Sequence, residues 1–111
     1  MKDRLGAASL RVVGDLDGPC EHLALLPGAR TQIGVLGVPQ VDAIITGEIA
    51  EWETSEFARD AAHLGLGQGL IIAGHATSEE PGMRWIVPWL EQRLPGVPVQ
   101  FVPTSRAFQQ L

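Results

Sequence analysis

Short runs of aliphatic residues recur along the chain, and glycine or proline closes most of them. Runs of this length and composition, bounded by residues that favour turns, are typical of β-strands. We therefore predict five strands, at residues 10–13, 22–26, 42–46, 70–73 and 98–102.

One segment between the third and fourth predicted strands has the three- and four-residue apolar spacing of an amphipathic helix. It covers residues 53–64, and Thr54 or Ser55 is placed to cap its first turn. Its apolar side is formed by Phe57, Ala58, Ala61, Ala62 and Leu64.

A second, less regular helix is predicted over residues 82–94, between the fourth and fifth strands. Pro88 should bend or restart this helix, because proline lacks a backbone donor and clashes with the preceding turn. A short helix within residues 29–37 is also considered, although its glycines disfavour it. The apolar positions of the second helix are Met83, Ile86, Leu90 and Leu94.

Strands that alternate with helices imply βαβ crossovers. The pattern therefore predicts an α/β fold with a mostly parallel sheet and helices packed on it. The 111 residues suffice for a single domain with one core. Ligands of such sheets collect at the carboxyl ends of the strands, so the residues after each strand are the ones to inspect.

Composition narrows the classes of function. The net charge of −5 disfavours nucleic-acid binding through a basic patch. No apolar run approaches the roughly 20 residues needed to span a bilayer, and no signal-length stretch follows Met1, so no membrane association is expected. Cys20 is the only cysteine, which suits a reducing compartment. These features predict a cytoplasmic protein.

Polar clusters follow the third and fourth predicted strands. Glu48 comes after the third strand, and His75 and Glu79 come after the fourth. On a helical turn, residues four apart share one face, so an imidazole nitrogen and a carboxylate oxygen can converge there. Such a pair suits Zn, Mn, Fe, Co or Ni, but most catalytic zinc sites need three protein ligands and a water.

Each of these residues also has a simpler interpretation. For an arbitrary His-x-x-x-Glu spacing, the histidine is more commonly a loop residue that is hydrogen-bonded to the backbone, and this interpretation also applies to His75. Glu48, Glu79 and Glu80 could each be favourable charges near the start of a helix, with Pro81 as a first helical residue.

Other candidate ligands are weaker. His22 and His63 have no acidic or cysteine neighbour at a ligand spacing in the sequence, so we expect them to be structural or exposed. Asp15 and Asp17 lack the remaining ligands of a calcium loop and favour a turn.

Three separated blocks carry a family resemblance. They are Val-Asp-Ala-Ile-Ile-Thr-Gly-Glu at 41–48, Glu-Trp-Glu at 51–53, and Leu-Ile-Ile-Ala-Gly-His-Ala-Thr-Ser-Glu-Glu-Pro-Gly-Met at 70–83. In order and spacing they resemble the C-terminal half of the NIF-three-like (NIF3-like) dinuclear metal centre family. The resemblance extends from about residue 11 to about residue 102.

The resemblance implies a NIF3-like partial α/β domain, a site for one or two divalent metal ions, and a homo-oligomer, often a ring-shaped hexamer. The family's Gly-His-x-x-x-Glu block supplies a histidine and a glutamate ligand, which carry over to His75 and Glu79. The Thr-Gly-Glu block lines the same pocket. This makes Glu48 a candidate catalytic residue, either activating water or supporting a ligand.

The chain also departs from the family pattern. No two histidines are adjacent, so the paired-histidine motif of the family's N-terminal half has no counterpart here. Either another subunit or a separate N-terminal half chain completes the site, or the chain binds metal poorly. The first function hypothesis is a metal-dependent hydrolase of unknown substrate. The alternative is a non-catalytic binding or oligomer-assembly module that has lost part of the metal site.

Overall fold

From the third strand onward, strands and helices alternate along the chain, as the pattern predicts, whereas the first three strands follow one another with no helix between them in the described residues. A computed structural model of the protein describes residues 1–14, 17–29, 34, 36–66 and 69–104. The strands are β1 (Arg11–Val13), β2 (Leu23–Ala29), β3 (Ala43–Glu48) and β4 (Gly69–Ile72). The helices are α1 (Lys2–Leu5), α2 (Glu56–His63) and α3 (His75–Arg93), and a π-helical turn, Glu51–Ser55, leads directly into α2.

The four strands form one sheet in the order β1-β4-β3-β2. β2 pairs parallel with β3, and β3 pairs parallel with β4, whereas β1 is antiparallel to β4. This confirms a mixed α/β fold with a mostly parallel sheet. Four of the five predicted strands are present, with bounds that differ by at most three residues.

The hydrophobic core lies on the sheet face that α2 covers. Ile44 and Leu70 are fully buried and stand side by side on β3 and β4, and Ala58 of α2 packs against them. Ile72 and Leu36 complete the buried cluster. The small and aliphatic residues at helical spacing therefore pack α2 against the sheet, as the sequence predicts. Through Ala58, the helix contacts both central strands.

The start of α2 differs from the prediction. Ser55 makes no side-chain cap, because the chain is already helical from Glu51 and the Ser55 hydroxyl instead donates to the Glu51 carbonyl. Thr54 is buried inside the π-helical turn rather than at a helix end. The helical pattern was recognisable from residue 53, but the extra turn before it carries no apolar periodicity.

The predicted fifth strand, residues 98–102, is wrong: this segment has no regular secondary structure. Pro98 cannot donate a hydrogen bond to a sheet. The segment lies along α3 instead, where the Arg84 guanidinium stands 4.6 Å from the centre of the Phe101 ring. Its aliphatic composition resembles that of a strand because it also packs one apolar side, but against a helix.

The second predicted helix is longer than expected, because α3 begins at His75 instead of residue 82. Pro81 and Pro88 both lie inside it, so Pro81 is not its first residue and the helix does not restart at Pro88. Each proline removes one intrahelical hydrogen bond. Pro88 is exposed, so water can reach the carbonyl that it leaves without a partner.

Two further expectations concern a short helix before β3 and the absence of a membrane-spanning segment. The short helix considered for residues 29–37 falls mostly outside the described residues. Among the helices that the structure describes, none is long and apolar enough to cross a membrane.

Asp42, just before β3, is hydrogen-bonded to the residues just before β2. Its Oδ2 accepts hydrogen bonds from the backbone N–H groups of His22 and Glu21, each at 2.8 Å. These bonds, that from His22 foremost, lower the pKa of Asp42 below its ordinary value of 3.8. Because the folded pKa lies below the unfolded one, this stabilisation is complete above the unfolded pKa and is lost as the pH falls through the folded pKa.

We therefore expect Asp42→Asn to lower the melting temperature near neutral pH by a few degrees, and the difference from the parent to shrink as the solution is acidified. Thermal unfolding followed by circular dichroism over a series of pH values measures this. Asp3→Asn, the same change on α1, is the control. A difference between Asp42→Asn and the parent that stays constant through the acid range would contradict the assignment.

Candidate metal centre

The polar clusters that follow β3 and β4 meet at the carboxyl edge of the sheet. Glu48 is the last residue of β3, and His75 is the first residue of α3, three residues after the end of β4. Because β3 and β4 are parallel neighbours, their carboxyl ends lie side by side. His75 Nδ1 lies 3.3 Å from Glu48 Oε2, and His75 Nε2 lies 3.2 Å from Glu79 Oε2.

The imidazole of His75 is thus flanked by a carboxylate at each ring nitrogen. A neutral imidazole has one N–H donor and one acceptor nitrogen, so it can donate to only one of the two carboxylates. The other nitrogen then presents its lone pair to a carboxylate oxygen. Either a second proton on the ring or a cation between nitrogen and carboxylate satisfies this arrangement. All three side chains are about half exposed, so a solute can reach them.

Two glycines form the wall opposite His75 and Glu79. Gly28 lies in β2 at a register irregularity between Leu26 and Ala29, with a φ of +75°. A Cβ there would stand 3.2 Å from the Glu79 carboxyl carbon and closer still to one of its oxygens. The left-handed φ and the close approach both require glycine.

Gly47, next to Glu48 on β3, is even more confined. A Cβ at this position would stand 2.7 Å from the backbone nitrogen of Gly28 and closer still to the Gly28 carbonyl oxygen and the Ser78 hydroxyl oxygen. The backbone N–H of Gly28 donates to Ser78 Oγ at 2.9 Å, and the Ser78 hydroxyl donates to the His75 carbonyl at 2.7 Å. The first turn of α3 is therefore seated directly on two strands.

Reasoning from the sequence did not single out Gly28, Gly47 or Ser78. A signal existed, since glycine inside a strand often marks a bulge or a close backbone approach. It could not show which helix makes that approach.

The donor set fits a metal ion in part. Among the residues that the structure describes, no group of three or more His, Cys, Asp or Glu side chains is placed to hold one ion. Glu48 and Glu79 contact different ring nitrogens, so only Glu79 shares a point with Nε2. Donors that bind one ion at about 2.0–2.2 Å lie roughly 3–3.5 Å apart, and the Nε2 to Glu79 distance falls in that range. Without an ion, the same pair is a hydrogen bond when Nε2 carries the proton.

The other candidate ligands lie away from this centre. His22 is exposed, with Nδ1 3.8 Å from Asp42 Oδ2. His63 ends α2, and Cys20 is exposed. Asp15 lies outside the described residues.

Comparison with solved structures identifies the fold. Two structures of Staphylococcus aureus protein SA1388 align with TM-scores of 0.70 and 0.67, at 21% and 24% sequence identity. Each alignment covers 99% of this chain and 36% of that chain. A Bacillus cereus protein related to NIF3 aligns with a TM-score of 0.58 and 23% identity, over 91% of this chain and 30% of its own.

This chain therefore spans about a third of the length of the solved structures that it resembles, as the 36% and 30% coverages state. Identities this low show the fold alone. No protein of curated function matches the chain. A family model describes residues 1–107 and confirms the resemblance seen in the sequence blocks. By that match, the chain belongs to the Duf34/NIF3 (NGG1p interacting factor 3) family.

Proposed function

We propose that this protein binds a divalent metal ion through Nε2 of His75 and the carboxylate of Glu79. The observation that carries this proposal is the position of the His75 ring between two carboxylates, one at each nitrogen. A cation at Nε2 lets the neutral ring donate from Nδ1 while Nε2 uses its lone pair. Borderline ions such as Zn, Mn, Fe, Co or Ni prefer this mixture of nitrogen and oxygen donors.

Glu48 has a different role in this proposal. Its carboxylate accepts a hydrogen bond from the Nδ1–H group, which fixes the tautomer and the orientation of the His75 ring. Metal-binding histidines nearly always have such a partner on their second nitrogen. Glu48 is then a positioning residue, which is the second of the two roles expected for it, and direct activation of water by Glu48 stays a prediction.

The reaction that we propose is hydrolysis, on a substrate whose identity is open. A bound divalent ion supplies a Lewis acid and an activated water at neutral pH. His75 and Glu79 are fewer than the three protein ligands of most catalytic zinc sites, so further ligands must come from elsewhere. We propose that a second copy of this chain, or a separate chain equivalent to the family's N-terminal half, provides them and allows one or two ions to bind.

Glu48→Gln tests the positioning role. Glutamine keeps the size of the side chain but accepts a weaker hydrogen bond from Nδ1–H, so we expect metal affinity to fall by about 10- to 100-fold. Isothermal titration with Zn²⁺ measures the change, and Glu53→Gln in the π-helical turn is the control. An affinity equal to that of the parent would remove Glu48 from the site.

Elemental analysis of the purified protein, together with its mass in solution, tests the proposal as a whole. Near-stoichiometric divalent metal is the expected result. If the metal-bound species is a multimer or a complex, the missing ligands come from another chain. A folded protein that takes up no metal, even with Zn²⁺ in excess, would overturn the proposed function.

A second candidate function is an assembly module without catalysis, and the shape of the molecule favours it. No residue of α3 is buried, and Trp85 and Trp89 on this helix are 79% and 49% exposed. The Cα radius of gyration is 16.5 Å, whereas a compact domain of this length has about 13 Å. Large exposed aromatic residues are typical of surfaces between subunits. A multimer that binds no metal would support this candidate over the first.

A further inference from the structure

A second apolar row crosses all four strands, on the sheet face opposite α2. Its members are register partners on adjacent strands, and they alternate with the buried row that contains Ile44. None of them is fully buried, and the exposed fraction of Leu25 reaches 64%. This apolar surface, here called the open row, consists of Val12, Ile71, Ile45 and Leu25.

The chain's own α3 does not cover the open row. The first turn of α3 contacts the sheet at its carboxyl edge, where Ser78 accepts a hydrogen bond from the backbone of Gly28. Trp85, Ile86 and Trp89 follow Ser78 at helical spacing, so they continue the side of the helix that rests on the sheet. These three side chains, here called the α3 stripe, are 79%, 39% and 49% exposed. The helix therefore carries its sheet-facing side beyond the sheet.

The open row and the α3 stripe match each other chemically. Sheets of parallel strands are ordinarily covered by helices on both faces. Among the residues that the structure describes, a helix buries one face of this sheet, and the open row lies on the other. None of the side chains in the row or the stripe carries a charge, so burying them together removes no ionised group from water. A helix side packed on a sheet face is also the ordinary layer contact of an α/β domain.

The chain exposes more surface than a folded monomer of its length. Its accessible surface is 8099 Å², whereas a folded monomer of 111 residues exposes about 6,000 Å². The excess of about 2,000 Å² is larger than the roughly 800 Å² that each partner buries in a stable interface. The surplus is therefore sufficient for association with a partner.

We infer that two copies of this chain exchange their α3 helices, so that the α3 stripe of each copy packs on the open row of the other. The occupant is a second copy because one chain carries both halves of the contact, an uncovered sheet face and a helix that fits such a face. A twofold axis makes the two contacts identical. This inference rests on the assembly module, the second candidate function, and needs no metal ion, so it can fail while metal binding stands.

The mass in solution of charged variants tests this arrangement. Leu25→Glu places a charge in the open row, and Trp85→Glu places one in the α3 stripe. We expect the parent to be a dimer and each variant to dissociate about 100-fold or more readily, because the new charge would be buried without a partner. Leu64→Glu and Trp52→Glu are the controls, since these residues are 71% and 79% exposed and lie outside both surfaces. Both controls should stay dimers, and circular dichroism verifies each fold.

Mixing the two interface variants distinguishes helix exchange from other contacts. In a pair made of one molecule of each, the helix of Leu25→Glu meets the sheet of Trp85→Glu, and that contact carries no substitution. We expect the mixture to form dimers at a concentration at which each variant alone is a monomer. If the parent is a dimer but the mixture stays monomeric, or if both variants alone stay dimers, the exchange is overturned while the assembly module stands. A monomeric parent would overturn both.

Discussion

Replacing Gly47 with alanine is expected to lower the free energy of unfolding by about 3 kcal/mol, at the upper end of the usual cost of overpacking a filled site. The new Cβ would stand 2.7 Å from the backbone nitrogen of Gly28 and nearer still to the Gly28 carbonyl oxygen. Backbone atoms of a paired strand cannot move away as a flexible side chain can. Strand β2 must therefore shift relative to β3, or the pairing must open. Chemical denaturation followed by circular dichroism measures the loss.

Gly82→Ala is the matched control for this change. Gly82 lies inside α3, and a Cβ there would meet no atom within 4 Å. Alanine in a helix interior is more favourable than glycine by roughly 0.5–1 kcal/mol, so this variant should be slightly more stable than the parent. If Gly47→Ala unfolds at the same denaturant concentration as the parent, Gly47 is not packed as closely against Gly28 and Ser78 as described.

Replacing His75 with alanine is expected to reduce the affinity for Zn²⁺ by 100-fold or more. This exceeds the roughly 10- to 100-fold effect of losing a residue that only orients a ligand. The change removes one of the two donors and leaves Glu48 and Glu79 without the ring that both contact. The fold should persist, because His75 is half exposed at the start of its helix and takes no part in the buried core.

His22→Ala is the control for the metal titration, because His22 is also an exposed histidine beside a carboxylate. It should bind Zn²⁺ like the parent. Circular dichroism of each variant reports whether the fold is retained. If His75→Ala keeps the parent's affinity, or if His22→Ala loses as much, His75 is not the ligand.

The four strands of the sheet could be predicted from the sequence because buried strands are short, continuous aliphatic runs. Ile44 and Leu70 lie in short aliphatic runs, and their burial requires a central position in the sheet. Residues 98–102 have a similar composition but pack on α3, and composition does not distinguish a strand partner from a helix partner. The beginning of α3 was not predicted for a related reason. Its first turns contain polar residues such as His75, Ser78 and Glu79 and have no regular apolar spacing.

The juxtaposition of Glu48, His75 and Glu79 was predictable, because parallel strands deliver their carboxyl ends to the same edge. The wall that Gly28 and Gly47 form was not. Its geometry depends on an irregularity in β2 and on the depth at which α3 sits, and both are set by contacts between residues far apart in the chain. That His75 and Glu79 hold a metal ion stays a prediction, which the Zn²⁺ titrations test.

The strand order gives the candidate centre two sides of unequal stiffness. β4, which leads into His75, is paired on both sides, whereas β2, which carries Gly28, lies at the end of the described sheet and is paired with β3 alone. A strand bonded along one side opens more readily than one bonded along both. A ligand of a slightly different size would therefore be accommodated by movement of the glycine side, while the histidine side keeps its place.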